Sequence, residues 1–165
     1  MEEITRELLN LKFPKNYERK NIFQEGQKCY EGFVLGQVWS WAHKEVKDTG
    51  ACMRPSIKHK EQKYDRIWFL TKEIAKDVEY TSVQYNKNQK CAKHIDGNNA
   101  GVSTIIGFGD YEGGELLIYY DGENEPPTKV DIKNKFIQFD GSKYYHETAD
   151  FKGNRFTLVF FNRFS

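Results

Sequence analysis

The spacing of apolar positions changes near residue 80. Before it, Ile4, Leu8 and Leu11 recur at helical intervals, and Pro14 ends the run. Residues 33–39 predict a strand, and Lys47-Asp48-Thr49-Gly50 reads as a turn. Asp65 is placed to cap a helix in which Ile67, Leu70, Ile74 and Val78 share one face. Trp68 and Phe69 widen that face, so this helix is expected to pack against a sheet. From Thr81 the texture becomes short strands divided by turn signals: 81–85, 102–108, 115–120, 130–132, 136–139 and 156–161. The glycine-rich stretch 109–114 reads as a hairpin between two of them, and Asn134-Lys135 as a further turn.

Several short strands at this spacing predict a sandwich or small barrel rather than alternating strands and helices. The expected architecture is mainly β with supporting N-terminal helices, in the form of a jelly-roll or cupin-like barrel. One domain over 1–165 is expected. Residues 1–80 would give helical support with a possible first strand, and 81–165 the barrel core carrying the site.

Composition narrows the class only slightly. Hydrophobic residues make up 38% and charged residues 30%, which excludes wholesale disorder. The net charge of +1 provides no global basic field, although a local patch can hide in such a total. No apolar run is long enough to span a bilayer, and the acidic start Met1-Glu2-Glu3 lacks the layout of a signal peptide. Cys29, Cys52 and Cys91 are odd in number and widely spaced, with no CxxC, and read as small buried hydrophobes in a reducing compartment. The expected location is intracellular, cytoplasmic or nuclear.

The strand-rich half carries the candidate chemistry. In extended chain, residues two apart point to the same side, so His94 and Asp96 can reach one ion together. His146, fifty positions after Asp96, can complete a 2-His-1-carboxylate face, which suits Fe(II) and leaves positions open for a co-substrate and O₂. Asp110 and Glu115 are competing carboxylates, but neither has a histidine beside it. Arg155 lies nine residues beyond His146, at the last strand, and Thr157 shares its face. A planar guanidinium fork suits a carboxylate. Together they would hold the far carboxylate of 2-oxoglutarate. Tyr85 is expected to point inward and donate a hydrogen bond to the same co-substrate.

These residues resemble the Fe(II)/2-oxoglutarate-dependent dioxygenase superfamily. His94-x-Asp96, Gly113-Gly114-Glu115-Leu116, His146 and Arg155-x-Thr157 carry the resemblance, which covers about residues 81–165. It implies a double-stranded β-helix, iron at His94, Asp96 and His146, and 2-oxoglutarate at Arg155. It further implies oxidative decarboxylation to succinate coupled to hydroxylation of a C–H bond. The stretches 85–99 and 105–114 look most like the ten-eleven-translocation and base-J-binding-protein type domains, in small versions from algae and large viruses. That branch implies oxidation of the methyl group of a pyrimidine base.

Nucleic acid or a nucleotide is therefore the expected substrate, with Asn86, Asn88, Lys93 and Tyr145 as candidate contacts. Lys87, Lys90 and Tyr144 lie in the same loops. The alternative is peptidyl (prolyl or lysyl) hydroxylation. That branch often has tyrosine where this chain has Cys91, and lysine where it has Arg155. A reading of another class is a non-enzymatic jelly-roll binding module.

Overall fold

The computed structural model describes residues 1–40, 52–55, 58, 61–97 and 101–162, with the backbone alone for 38–40 and 52–55. The expected turn at 47–50, and Asn98 and Asn99 of the family-like stretch, lie outside the described residues. Among the described residues, two α-helices, α1 (Glu2–Asn10) and α2 (Asp65–Ile74), accompany the strands. In the first half these are β1 (Lys15–Asn16), β2 (Tyr30–Ser40) and β3 (Cys52–Pro55). In the second half they are β4 (Ser82–Lys87), β5 (Ser103–Phe108), β6 (Glu112–Gly113), β7 (Leu116–Ile118), β8 (Thr128–Val130), β9 (Ile137–Phe139), β10 (His146–Thr148), β11 (Phe151–Lys152) and β12 (Phe156–Phe161).

The larger sheet runs β1-β2-β4-β12-β5-β9, with β3 also paired to β2. The smaller sheet is β10-β7-β8, and β6 pairs with β11. All strand pairs are antiparallel. The mainly β expectation holds, and the first half contributes β2 to the larger sheet as well as both helices.

Register explains how one sheet serves two purposes. Phe33, Tyr85, Leu158 and Ile106 oppose one another across β2, β4, β12 and β5. Opposed residues share a face. This row packs with Ile4 and Leu8 of α1 and Ile67 and Leu70 of α2 in the main core. Each such side chain contributes about 1.5–3 kcal/mol on burial, so the helix-facing side anchors the fold. The neighbouring row, Gly32, Asn86, Thr157 and Gly107, faces the other way. On that side Ile105, Leu116, Ile118, Ile132 and Phe139 form a second, smaller core between the sheets.

Some expectations shift. Tyr64 precedes α2, and Asp65 is its first helical residue with no capping side-chain bond. Its carboxylate instead favours the first turn through the helix dipole. Phe69 is half exposed, because it lies off the arc occupied by Ile67, Leu70 and Thr71. The 109–114 stretch is not a hairpin between β5 and β7, since those strands belong to different sheets. Gly113 and Gly114 (φ 79° and 67°) turn the chain across from one sheet to the other.

Candidate metal centre

His94 and His146 meet as an isolated antiparallel bridge. His94 N donates to His146 O, and His146 N to His94 O, each at 3.0 Å. This reciprocal pairing puts both rings on one side, with centroids 4.3 Å apart. Asp96 follows in extended chain, its N–H donating to Gly141 O at 2.8 Å. Asp96 Oδ1 lies 3.5 Å from His94 Nε2, and Oδ2 lies 3.4 Å from His146 Nε2. Ligand-type atoms of the three residues all fall within 4.8 Å of one another.

The tautomers are set from behind. His94 Nδ1 lies 2.7 Å from Ala92 O, and His146 Nδ1 lies 3.0 Å from Tyr144 O. A carbonyl only accepts, so each Nδ1 donates to it and each Nε2 is the ring nitrogen turned to the shared point. Burial works to raise the Asp96 pKa, but the hydrogen bonds and charge of His146 and His94 outweigh it and hold the carboxyl well below its usual range. The set is therefore two imidazoles that turn Nε2 towards one carboxylate, with both histidines buried. Those are borderline and hard donors suited to a divalent first-row metal.

A cavity of about 1260 Å³ opens from this cluster between the two sheets. Its walls include Asn86, Cys91, Leu116, Arg155, Thr157 and Val159. Arg155 is buried, and its Nε and Nη2 donate to Gly114 O at 3.1 and 2.8 Å. Burial lowers its pKa, against the pull of Cys91, Tyr111 and Glu115, yet a guanidinium keeps its charge. Among the described residues it makes no ion pair. A buried cation facing a cavity without a counter-charge is costly unless an anion enters. Thr157 stands on the same face, its hydroxyl accepting from Asn86 Nδ2 at 3.2 Å.

Other expected site residues sit elsewhere. Tyr85 belongs to the opposite face of the sheet: its hydroxyl pairs with Thr71 Oγ1 at 2.7 Å and its ring stacks on Phe33. It faces away from the cavity, whereas Gln84 and Asn86, one residue to either side, line it. Asn88 turns the chain with φ 50° and accepts from Arg155 N at 2.7 Å, which fixes the start of β12. Lys93 reaches Glu123 O at 2.9 Å and lies over the Tyr119 ring, away from the cavity wall. Tyr145 does not line the cavity either. Lys90 pairs with Asp150.

Sequence reasoning missed Arg19, Tyr30 and Gln84, which also line the cavity. Nothing local marks them, since Tyr30 and Gln84 meet only when β2 and β4 pair, and Arg19 lies on the connection before β2. Cys29 and Cys91 are free thiols, and Cys91 lies at the cavity wall with its pKa raised by burial.

No protein-family model matches the chain, and no curated protein matches it. Among solved structures it is similar to an oxidoreductase of the 2OG-Fe(II) oxygenase family from Burkholderia pseudomallei. The TM-score is 0.59 at 15% identity, covering 97% of this chain and 76% of that one. It is also similar to NgTET1 in complex with 5mC DNA, with a TM-score of 0.53 at 16% identity, covering 80% of this chain and 60% of that one. At such identities the likeness is one of fold. The chain has the jelly-roll, double-stranded β-helix architecture of the 2OG-Fe(II) oxygenases.

Proposed function

We propose that this protein is an Fe(II)/2-oxoglutarate-dependent dioxygenase that hydroxylates a C–H bond, and that its substrate is the methyl group of a pyrimidine base in nucleic acid or a nucleotide. One observation carries the reaction class: the His94, Asp96 and His146 cluster shares a cavity with Arg155, a buried cation that makes no ion pair among the described residues. The donor set fits ferrous iron, and the guanidinium fits a dicarboxylate.

His94, Asp96 and His146 would hold the metal, and Arg155 with Thr157 would bind the far carboxylate of 2-oxoglutarate. When bound, iron, 2-oxoglutarate and O₂ supply an oxidant for C–H hydroxylation, with succinate and CO₂ released. The chain's own part is orientation and exclusion. The carbonyls of Ala92 and Tyr144 accept from each Nδ1 and fix both rings in direction, leaving each Nε2 for the metal. Leu116, Phe139 and Val159 give the cavity an apolar wall that limits water.

The substrate reading rests on two supports. NgTET1, similar in fold, was seen with 5mC DNA. The cavity wall also carries the carboxamides of Asn16, Asn21, Gln84 and Asn86, groups able to pair with the edge of a base taken out of its stack.

The test is mass spectrometry after incubation with Fe(II), 2-oxoglutarate and O₂. Oligonucleotides and nucleotides bearing 5-methylcytosine or thymine are set against proline- and lysine-rich peptides. A gain of one oxygen on the base supports the proposal. Oxygen gained only on peptide moves the substrate class to peptidyl hydroxylation. Failure to bind Fe(II) and 2-oxoglutarate at all would leave a jelly-roll binding module.

A further inference from the structure

We infer that the Tyr111 hydroxyl is a further donor of the anion subsite centred on Arg155, a positioning residue for the far carboxylate of the co-substrate. The inference rests on the 2-oxoglutarate reading above and adds a residue that neither the motif nor the cavity outline marks.

Tyr111 is buried at 4% exposure, and its hydroxyl proton has no acceptor; the Arg155 guanidinium beside it can only donate to the oxygen. Leaving a buried hydroxyl unpaired is costly, so native structures rarely do it without a role for the group. Its location is specific. Gly107 on β5 stands opposite Thr157 on β12, so their side-chain directions share the cavity face. A Cβ on Gly107 would overlap the Tyr111 hydroxyl. The hydroxyl therefore fills the space left by the missing side chain of Gly107, on the cavity side of the sheet beside Thr157.

The guanidinium of Arg155 lies against the same ring, with Cζ 5.7 Å from its centroid. Arginine has five N–H donors. Nε, one N–H of Nη2 and one of Nη1 are directed at the carbonyls of Gly114 and Gln89. One N–H on each terminal nitrogen remains. Thr157 Oγ1 already accepts from Asn86, so its own proton is free to donate. Two guanidinium N–H groups, one threonine O–H and the Tyr111 O–H thus gather, against which the Tyr111 oxygen offers Arg155 a single acceptor. A carboxylate accepts through two oxygens and several lone pairs, which matches this surplus of donors. The ring is held in place from its backbone side, where Lys133 Nζ donates to Tyr111 O at 3.0 Å and lies 5.0 Å from the ring centroid.

The test is equilibrium binding rather than turnover. The Mn(II)-loaded protein and its Tyr111→Phe variant are titrated anaerobically with 2-oxoglutarate and with 2-oxopentanoate. The second ligand keeps the keto-acid end and has a methyl where the far carboxylate stood. We expect Tyr111→Phe to weaken 2-oxoglutarate about tenfold and leave 2-oxopentanoate unchanged. Without ligand, the variant should fold and melt close to wild type, since the ring and the backbone bond that holds it are kept. Equal 2-oxoglutarate affinity in the variant, or equal losses for both ligands, would overturn the assignment while leaving the co-substrate reading intact. A wild-type protein that does not prefer 2-oxoglutarate over 2-oxopentanoate would overturn both.

Discussion

His94 and His146 exchange both backbone hydrogen bonds at 3.0 Å, so the histidine–aspartate cluster is part of the β architecture rather than a loop laid over it. The bridge continues β10, which pairs with β7 of the smaller sheet. Ligand geometry is thereby tied to sheet geometry, a rigid support for a preorganised site.

Gly141 should be a sensitive position for the metal. A Cβ there would stand 2.7 Å from Asp96 Oδ2 and 3.1 Å from His146 Cε1. Gly141→Ala is expected to displace the carboxylate and weaken Mn(II) binding at least about tenfold, the scale of outer-shell losses in metal sites. Calorimetry measures this, and unchanged far-ultraviolet circular dichroism would show that the fold persists.

Arg155→Lys keeps a charge but loses the fork that grips Gly114 O. Its affinity for 2-oxoglutarate should fall by about 10- to 100-fold, with Mn(II) affinity retained. Anaerobic titration separates the two effects. Full 2-oxoglutarate affinity in this variant would count against Arg155 as the anchor.

Tyr85→Phe should act on stability and not on catalysis. The variant loses the 2.7 Å bond to Thr71 on α2, worth about 1 kcal/mol. Denaturant unfolding should register that loss, while kcat/KM for the oxygenated substrate stays at the wild-type value.

The legible parts of this chain are those that need only local geometry. His94-x-Asp96 requires no more than extended backbone, and Phe156–Phe161 is so rich in aromatic and β-branched residues that its strand is found at its true ends. Arg155 was legible because it is out of phase with Phe156 and Leu158, which are buried on the helix side. The orientation of β4 was not. Its polar residues Gln84 and Asn86 face the barrel interior, while Val83 and Tyr85 face the helices. A rule that places apolar residues inside the barrel therefore assigns Tyr85 to the wrong side. Strand β10 was hidden because three residues, His146–Thr148, carry too little pattern. Tyr111 was hidden because its role depends on what Gly107 lacks.

Alkali should destabilise the protein through its buried phenols. Burial pushes Tyr30, Tyr85 and Tyr111 above the ordinary phenol value of 10.0. On unfolding these groups ionise at that ordinary value, so the unfolded chain holds fewer protons than the folded one above it. The contribution is complete below the ordinary value and is lost as pH rises beyond it towards the folded values. Denaturant midpoints should be level to about pH 9 and drop by about pH 10.5, with tyrosinate absorbance appearing together with unfolding. Tyr85→Phe should make the drop shallower.

The central claim is that His94, Asp96, His146 and Arg155 form one iron and 2-oxoglutarate site. Anaerobic addition of Fe(II) and then 2-oxoglutarate tests it most directly, read as the weak visible charge-transfer band of a chelated ferrous keto-acid complex. The account predicts a saturable band in wild type, no band in His146→Ala, and a band needing much more 2-oxoglutarate in Arg155→Lys. No band in the folded wild-type protein, or an undiminished band in His146→Ala, would contradict it.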